Sequence, residues 1–174
     1  MKNKNVLYLT QAAMIAALYV VLTMIANFLG IASGNIQIRF SEALTVLPFF
    51  TPAAVPGLYI GCLIANVVTG AALPDIIFGP LATLVGAVGT WFLGKAAVRC
   101  SGEKKAVLYK WLSPLPPILA NGIIIPPVLK YAYGIVPVWF SAVTVTIGEI
   151  ISCGILGLLL LFTLGKYRAQ IFKN

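Results

Sequence analysis

The sequence predicts an all-α integral membrane protein with six transmembrane helices, and residues 1–174 are expected to form a single transmembrane domain. The prediction rests on the amino-acid composition. Hydrophobic residues make up 60% of the 174 residues and charged residues only 9%, whereas charged residues average about 25% in soluble domains. The mean hydropathy is +1.01. A chain this apolar is expected to fold within a lipid bilayer.

Apolar runs separated by polar or proline-rich breaks give the order of the helices. The first run, residues 6–29, follows a short basic leader. It is longer than the roughly 7 to 15 apolar residues of a secretory signal, so we expect a retained first helix. The second helix is predicted to begin near Arg39 and to end before the break at residues 51–56, and residues 99–110 are predicted to form a hydrophilic loop. The last four helices are predicted at residues 56–69, 75–97, 111–129 and 137–165.

The basic residues predict the orientation of this bundle. If six helices cross and both termini share one side, only Arg39 and Lys130 lie on the opposite side. The positive-inside rule makes the side of the termini cytoplasmic. The stretch around Arg39 is then at the outer face. The basic residues on the cytoplasmic side are Lys2, Lys4, Lys95, Arg99, Lys104, Lys105, Lys110, Lys166, Arg168 and Lys173.

Several kinds of chemistry are excluded by residue content. Histidine is absent, and the three cysteines have no motif spacing, so neither a metal centre nor a disulfide framework is predicted. Residues 89–95 match the start of a phosphate-binding loop, but Ala96 occupies the Ser/Thr position within an apolar helix, which argues against nucleotide hydrolysis. The net charge of +8 is not concentrated on a soluble module, so nucleic-acid binding is not expected. We predict a protein that is not an enzyme and needs no cofactor.

Residues 34–44 form a polar stretch that apolar burial cannot explain. We interpret it as a wall of a polar site at the outer face. Arg39 and Glu42 are three residues apart and could instead simply pair with each other. The polar side chains of this stretch are Asn35, Gln37, Arg39, Ser41 and Glu42.

Ionisable residues within spanning segments usually mark function because they are costly to insert. Glu42, Asp75 and Glu149 are the three acidic candidates, although Asp75 could merely complement the dipole at a helix start. Glu149 lies twelve residues beyond Pro137, about 18 Å into the bilayer. Asn121 is expected at a similar depth, so an amide and a carboxylate could converge on one ligand.

Three further residues are candidate contacts for a ligand. Asn66 could join Asn121 and Glu149, or could only bond a neighbouring helix. Phe40 and Trp139 lie near the predicted outer surface, where aromatic side chains either stack on a ligand or anchor the protein at the interface. Each alternative stays open at the level of sequence.

Helix 1 carries small residues four apart on adjacent stripes. Such a surface lets another helix approach closely. The stripes are either a docking face for a partner membrane protein or ordinary helix composition. They consist of Ala12, Ala13, Ala16 and Ala17.

The pattern of short helices, cytoplasmic termini, alanine stripes and an outer polar site resembles the substrate-binding S component of an energy-coupling-factor (ECF) transporter. The segment Asn-Ile-Gln-Ile-Arg-Phe-Ser-Glu-Ala-Leu at 35–44 and the run Leu-Pro-Phe-Phe-Thr-Pro-Ala-Ala-Val-Pro-Gly at 47–57 are similar to the QueT family. The resemblance covers essentially the whole chain, and residues 35–57 are its most specific part.

This resemblance implies a function and partners. It implies an S-component-like bundle in a bacterial cell membrane that takes up a queuosine precursor, a 7-deazaguanine such as 7-aminomethyl-7-deazaguanine. The implied partners are a transmembrane coupling subunit, which the alanine stripes would contact, and two ATPase subunits. The main alternative is a stand-alone proton-coupled carrier for a small polar or cationic solute, with Glu42 and Glu149 as a relay.

Overall fold

A computed structural model describes residues 4–31 and 38–167, and this part of the chain is helical without any strand. Seven α-helices are accompanied by a 3₁₀ helix and a π-helical segment. The α-helices are α1 Lys4–Phe28, α2 Ala54–Val68, α3 Leu73–Arg99, α4 Glu103–Leu112, α5 Leu115–Tyr133, α6 Val138–Glu149 and α7 Leu158–Lys166. The 3₁₀ helix is Phe40–Phe49, and the π-helical segment is Ile150–Gly157.

The predicted six-helix, all-α class is confirmed. Four continuous helical regions are long and apolar enough to cross a membrane, and two shorter apolar helices, Phe40–Phe49 and Ala54–Val68, lie between the first two of them. Large apolar side chains remain exposed along the outward faces, as a surface in contact with lipid requires. The four long regions are Lys4–Phe28, Leu73–Arg99, Glu103–Tyr133 and Val138–Lys166.

The prediction of a loop at residues 99–110 is wrong from Glu103 onward, where the chain forms α4. Gly102 precedes this helix with a φ of 144°, a conformation that glycine adopts easily. The following residues are mostly good helix formers, and the acidic Glu103 lies in the first turn, where it complements the helix dipole. Hydrophilicity alone therefore did not distinguish an exposed helix from a loop.

Prolines usually interrupt a helix, yet α5 is continuous from Leu115 to Tyr133. Pro116 and Pro117 lie in its first turn, where a missing N–H leaves no hydrogen bond unmade. Gly86 and Gly89 of α3 face these two prolines so closely that an added Cβ at Gly86 would lie 2.6 Å from the Pro117 Cα. The prolines are therefore part of the α3–α5 interface.

Helix α1 packs against α2 through small residues on both helices. A Cβ at Gly57 would lie 2.6 Å from the Ala12 carbonyl oxygen, and one at Gly61 would lie 3.0 Å from the Ala16 Cα. Ala12 and Ala16 are consequently buried inside the bundle. Of the alanine stripes, only Ala13 and Ala17 are exposed.

The 3₁₀ helix lies inside the bundle, where every residue from Ser41 to Phe49 is buried. Ten residues at about 2 Å each are too short to span a bilayer core of about 30 Å. Gly94 of α3 approaches the Phe49 backbone, and a Cβ at Gly157 would lie 2.9 Å from Val46 Cγ1. Irregular backbone at membrane depth is tolerated when protein surrounds it in this way.

We expect Gly61→Ala to destabilise the protein by about 1–3 kcal/mol, the usual cost of overpacking. Its Cβ would lie 2.8 Å from the Tyr19 Cβ. Gly154→Ala is the matched control, because its Cβ meets only Ile150 Cγ2 at 3.7 Å. Thermal unfolding in detergent, followed by circular dichroism, measures both. Equal stability of the two variants would contradict the close α1–α2 contact.

Candidate functional site

Two acidic side chains distant in sequence meet in the interior of the bundle. Glu42 lies in the first turn of the 3₁₀ helix, and Glu149 is the last residue of α6. Each offers a carboxylate oxygen, and Cys153 offers its Sγ, such that the three atoms all lie within 4.8 Å of one another. All three residues are buried. Their side chains can therefore contact a single small group.

The carboxylate of Glu42 is held at one oxygen and free at the other. The hydroxyl of Tyr19, a fully buried residue of α1, donates a hydrogen bond to Glu42 Oε1. Glu42 Oε2 has no hydrogen-bond partner among the described residues. An unpaired buried oxygen of a carboxylate is costly. It is the kind of acceptor that a donor on a ligand would satisfy.

Cys153 connects the 3₁₀ helix with the end of α6. Its Sγ lies 3.0 Å from Glu149 Oε2, 3.3 Å from the Glu42 carbonyl oxygen and 3.2 Å from Thr45 Oγ1. The backbone N–H of Arg39 donates to Ser152 Oγ at 3.2 Å. These contacts fix the two carboxylates relative to each other.

A small cavity lies beside Glu149. It is lined by Arg39, Asn121, Ile125, Val145 and Glu149, and the volume open to the centre of a water molecule is about 10 Å³, room for about one water. Asn121 Nδ2 is buried and makes no hydrogen bond of ordinary length and angle among the described residues, although it lies close enough to the Glu149 carboxylate to interact with it. The cavity thus presents an amide donor, a carboxylate and a guanidinium between two apolar walls.

A third carboxylate, Asp75, lies at the start of α3. Its Oδ2 accepts a hydrogen bond from the Tyr133 hydroxyl at 3.4 Å, and its carbonyl oxygen accepts one from Asn66 Nδ2 at 3.0 Å. Asp75 Oδ1 has no partner among the described residues. Arg39 is near enough for its positive charge to act on Asp75, Glu42 and Glu149. It therefore partly offsets the negative charge that these three side chains can carry.

The structure brings together four of the ten substrate-site residues that the sequence singled out. Arg39, Glu42, Asn121 and Glu149 surround the cavity or the carboxylate pair, while Asn66 bonds the Asp75 backbone, as its structural alternative predicts. Asn35 and Gln37 lie outside the described residues.

Two aromatic candidates lie apart from the cavity lining. Trp139 is 69% exposed and packs edge-on against Phe140 with the ring centroids 6.1 Å apart. This position matches the interfacial-anchor alternative for Trp139. Phe40 is half-buried at the first turn of the 3₁₀ helix.

Sequence reasoning missed Tyr19 and Cys153. A tyrosine in the middle of an apolar helix carries a hydroxyl that needs a partner, which is a usable signal. Cys153 lies one helical turn after Glu149, so its proximity to that carboxylate could have been read from the spacing. Its proximity to Glu42 could not, because that contact depends on how the 3₁₀ helix packs.

The site suits a ligand with several N–H donors or a positive charge. Two carboxylates accept hydrogen bonds in pairs, and a buried amide supplies a donor for a carbonyl. The oxygen and sulfur atoms of Glu42, Glu149 and Cys153 are also close enough to hold a metal ion. Recognition of a small polar or cationic molecule uses more of the surrounding groups, since Asn121 and Arg39 then take part.

The helices and the buried polar site define a membrane protein that encloses polar binding groups within an apolar bundle. The chain belongs to the QueT transporter family, which matches residues 9–166. It is 39% identical over 85 residues to the queuosine precursor transporter QueT of Lactococcus lactis subsp. cremoris. That stretch covers 49% of this chain and 50% of the relative, so the match spans about half of the relative's length. No solved structure matches the chain.

We expect Tyr19→Phe to destabilise the protein by about 1–3 kcal/mol, because it removes the donor to Glu42 Oε1 and leaves a buried carboxylate unsatisfied. Tyr8→Phe is the matched control, since the exposed Tyr8 hydroxyl makes only a 3.5 Å contact with the Pro52 carbonyl oxygen. Thermal unfolding in detergent measures both variants. If Tyr19→Phe unfolded at the same temperature as Tyr8→Phe, the bond to Glu42 would not support the fold.

Proposed function

We propose that this chain is the substrate-binding subunit of an ECF-type importer for a queuosine precursor, a 7-deazaguanine such as 7-aminomethyl-7-deazaguanine. The observation that carries the proposal is the convergence of Glu42, Glu149, Asn121 and Arg39 around one buried position. Family membership and the printed name of the Lactococcus relative support the substrate class.

The polar groups complement the guanine-like edge of such a base. That edge offers adjacent N–H donors, which one carboxylate accepts as a pair, and a carbonyl oxygen, which needs a donor. Glu149 and Asn121 line the same cavity and supply these two groups. Asn121 Nδ2 makes no hydrogen bond of ordinary geometry with the neighbouring Glu149, so it can donate to the carbonyl when the substrate arrives. Ile125 and Val145 provide apolar contacts for the flat ring.

An aminomethyl group on the substrate would carry a positive charge. The site has carboxylate oxygens beyond those that the guanine-like edge would use. Glu42 Oε2 and Asp75 Oδ1 are buried acceptors without partners among the described residues. An aminomethyl cation would pair with these acceptors, and a paired buried charge costs less than an isolated one.

Binding requires the site to open, because a cavity for one water cannot hold a bicyclic base. Arg39 precedes the short 3₁₀ helix and forms part of the cavity wall. Its backbone is held to Ser152 by one hydrogen bond of 3.2 Å. We expect displacement of the Arg39 side chain to be the first step in admitting substrate.

The proposed partners are a transmembrane coupling subunit and two ATPases. Ala13 and Ala17 remain exposed on α1 and could allow close approach of a partner helix. Both termini would face the cytoplasm, as the distribution of basic residues predicts. In a stand-alone carrier, the Glu42–Glu149 pair would carry the proton instead. Uptake that persists in cells lacking the ATPases would favour that carrier.

For substrate recognition, we expect Glu149→Gln to weaken binding of 7-aminomethyl-7-deazaguanine by about 10- to 100-fold, because a charged acceptor is lost. Asn121→Ala should weaken it by about 3- to 10-fold, since one neutral hydrogen bond is lost. Glu103→Gln removes an exposed carboxylate at the start of α4 and serves as the control. Isothermal titration calorimetry on purified protein measures all three. Unchanged affinity in both site variants would contradict the proposed recognition.

For coupling, we expect Ala17→Trp to reduce uptake at least tenfold while leaving the calorimetric affinity for substrate unchanged, because a large side chain prevents close helix approach. Leu18→Trp is the matched control, since Leu18 is an exposed neighbour on the same helix. Uptake of radiolabelled substrate into cells that express the ATPases and the coupling subunit measures the effect. Normal uptake by Ala17→Trp would exclude this face as the docking surface.

A further inference from the structure

A second polar feature lies at the other end of α3, well away from the buried carboxylates. It is an open groove between the end of α3 and α4, with a volume of about 430 Å³. Asp75 and Lys95 are twenty residues apart on α3, which corresponds to about 30 Å along the helix. The groove is therefore separate from the candidate substrate site. We call it the basic groove; its lining consists of Phe92, Lys95, Ala96, Arg99, Cys100 and Tyr109.

The charges of the basic groove are of one sign. Lys95 and Arg99 are four residues apart on α3, so their side chains emerge on the same face one turn from each other. Both are exposed, and no acidic residue lines the groove. Lys104 and Lys105, also exposed, follow at the start of α4. This arrangement suits an anion.

Aromatic side chains position the cationic groups. The Lys95 ammonium lies 3.6 Å from the centroid of the Trp91 ring, a cation–π contact. Trp91 in turn packs on Phe92 with the ring centroids 5.0 Å apart. Tyr109 comes from α4 and contributes a hydroxyl-bearing side chain to the lining. The ammonium is thus held beside the groove without a carboxylate partner competing for it.

The position of the groove along α3 indicates what kind of anion it meets. Helix α3 has 27 residues, about 40 Å, and exceeds a hydrocarbon core of about 30 Å. Its final turns therefore reach the headgroup region. Phe92 is 58% exposed, and Val85 lies exposed two turns before it, where acyl chains would contact the protein. Basic pockets at this level of a membrane protein recognise anionic headgroups.

We propose that the basic groove binds the phosphate headgroup of an anionic phospholipid. Arg99 and Lys95 contact the phosphate, the Tyr109 hydroxyl donates a further hydrogen bond, and Phe92 packs against the upper part of an acyl chain. Arg99 is the principal contact, because guanidinium groups bind phosphate in a bidentate manner. This inference does not depend on the identity of the transported substrate.

Native mass spectrometry of the purified protein tests the proposal, with dioleoyl phosphatidylglycerol and dioleoyl phosphatidylcholine as probes. Wild-type protein should bind the anionic lipid at least tenfold more tightly than the zwitterionic one. The double variant Lys95→Gln/Arg99→Gln should lose about 10-fold in affinity for phosphatidylglycerol, as expected when two cations near a headgroup are removed. The control Lys104→Gln/Lys105→Gln removes the same charge outside the groove lining and should lose less affinity than the groove variant, because neither side chain contacts the bound headgroup.

Two control measurements separate a loss of lipid binding from a loss of folding or of charge. The swap Lys95→Arg/Arg99→Lys retains both charges and should retain lipid binding. The neutral double variant should unfold in detergent at the same temperature as the wild type, followed by circular dichroism, which checks that it is folded. Equal losses in the groove variant and the control variant would overturn the proposal. So would equal affinity for the two lipids. Full displacement of the lipid by millimolar glycerol phosphate would assign the groove to a free anion instead.

Discussion

The contact between the 3₁₀ helix and the π-helical segment is the constraint on which the polar site depends. It places the Glu42 backbone and Thr45 against Cys153, and the Arg39 backbone against Ser152. The 3₁₀ helix is buried among neighbouring helices, where protein surrounds its irregular backbone. The π-helical segment turns Ser152, Cys153 and Gly157 inward while Ile150 and Ile155 stay exposed, and the packing of the two segments brings Glu42 next to Glu149.

Close approach of the surrounding helices makes this burial feasible. Glycines of α2 and α3 bring the backbones near Ala12, Ala16, Phe49 and Pro117. Because glycine has no side chain, the neighbouring backbones can approach closely at these positions. The short 3₁₀ helix is therefore buried inside the bundle from Ser41 to Phe49. The bundle is tightly packed around the 3₁₀ helix, and it leaves a small cavity beside Glu149.

Incomplete pairing of buried polar atoms connects structure with function. Glu42 Oε2 and Asp75 Oδ1 lack hydrogen-bond partners among the described residues, and Asn121 Nδ2 makes no hydrogen bond of ordinary geometry there. A fold selected for stability alone would pair such atoms or replace them with apolar groups. A binding site gains from leaving them ready for the complementary groups of a ligand. The basic groove at the far end of α3 differs from this site, because its charged side chains are exposed.

The sequence by itself determined the class of protein, its all-helical fold and several of the polar side chains around the cavity. Mean composition decides whether a chain faces lipid, and costly ionisable residues stand out against an apolar background. Glu42 and Glu149 were identifiable for that reason, and Asn121 was identifiable as a polar amide within an apolar run. Helix α4 was not, because a short amphipathic helix and a hydrophilic loop have similar composition.

Only the tertiary structure decided which of these side chains meet. Tyr19 bonds Glu42 across 23 residues, and Cys153 contacts the Glu42 carbonyl across 111. Such distances in the chain carry no local periodicity that a sequence pattern could reveal. The structure also separated the alanines of α1 into Ala12 and Ala16, which pack inside, and Ala13 and Ala17, which do not. The physical reason is the same in both cases: helix rotation and depth are set by packing between elements, and packing is decided jointly by residues from the whole chain.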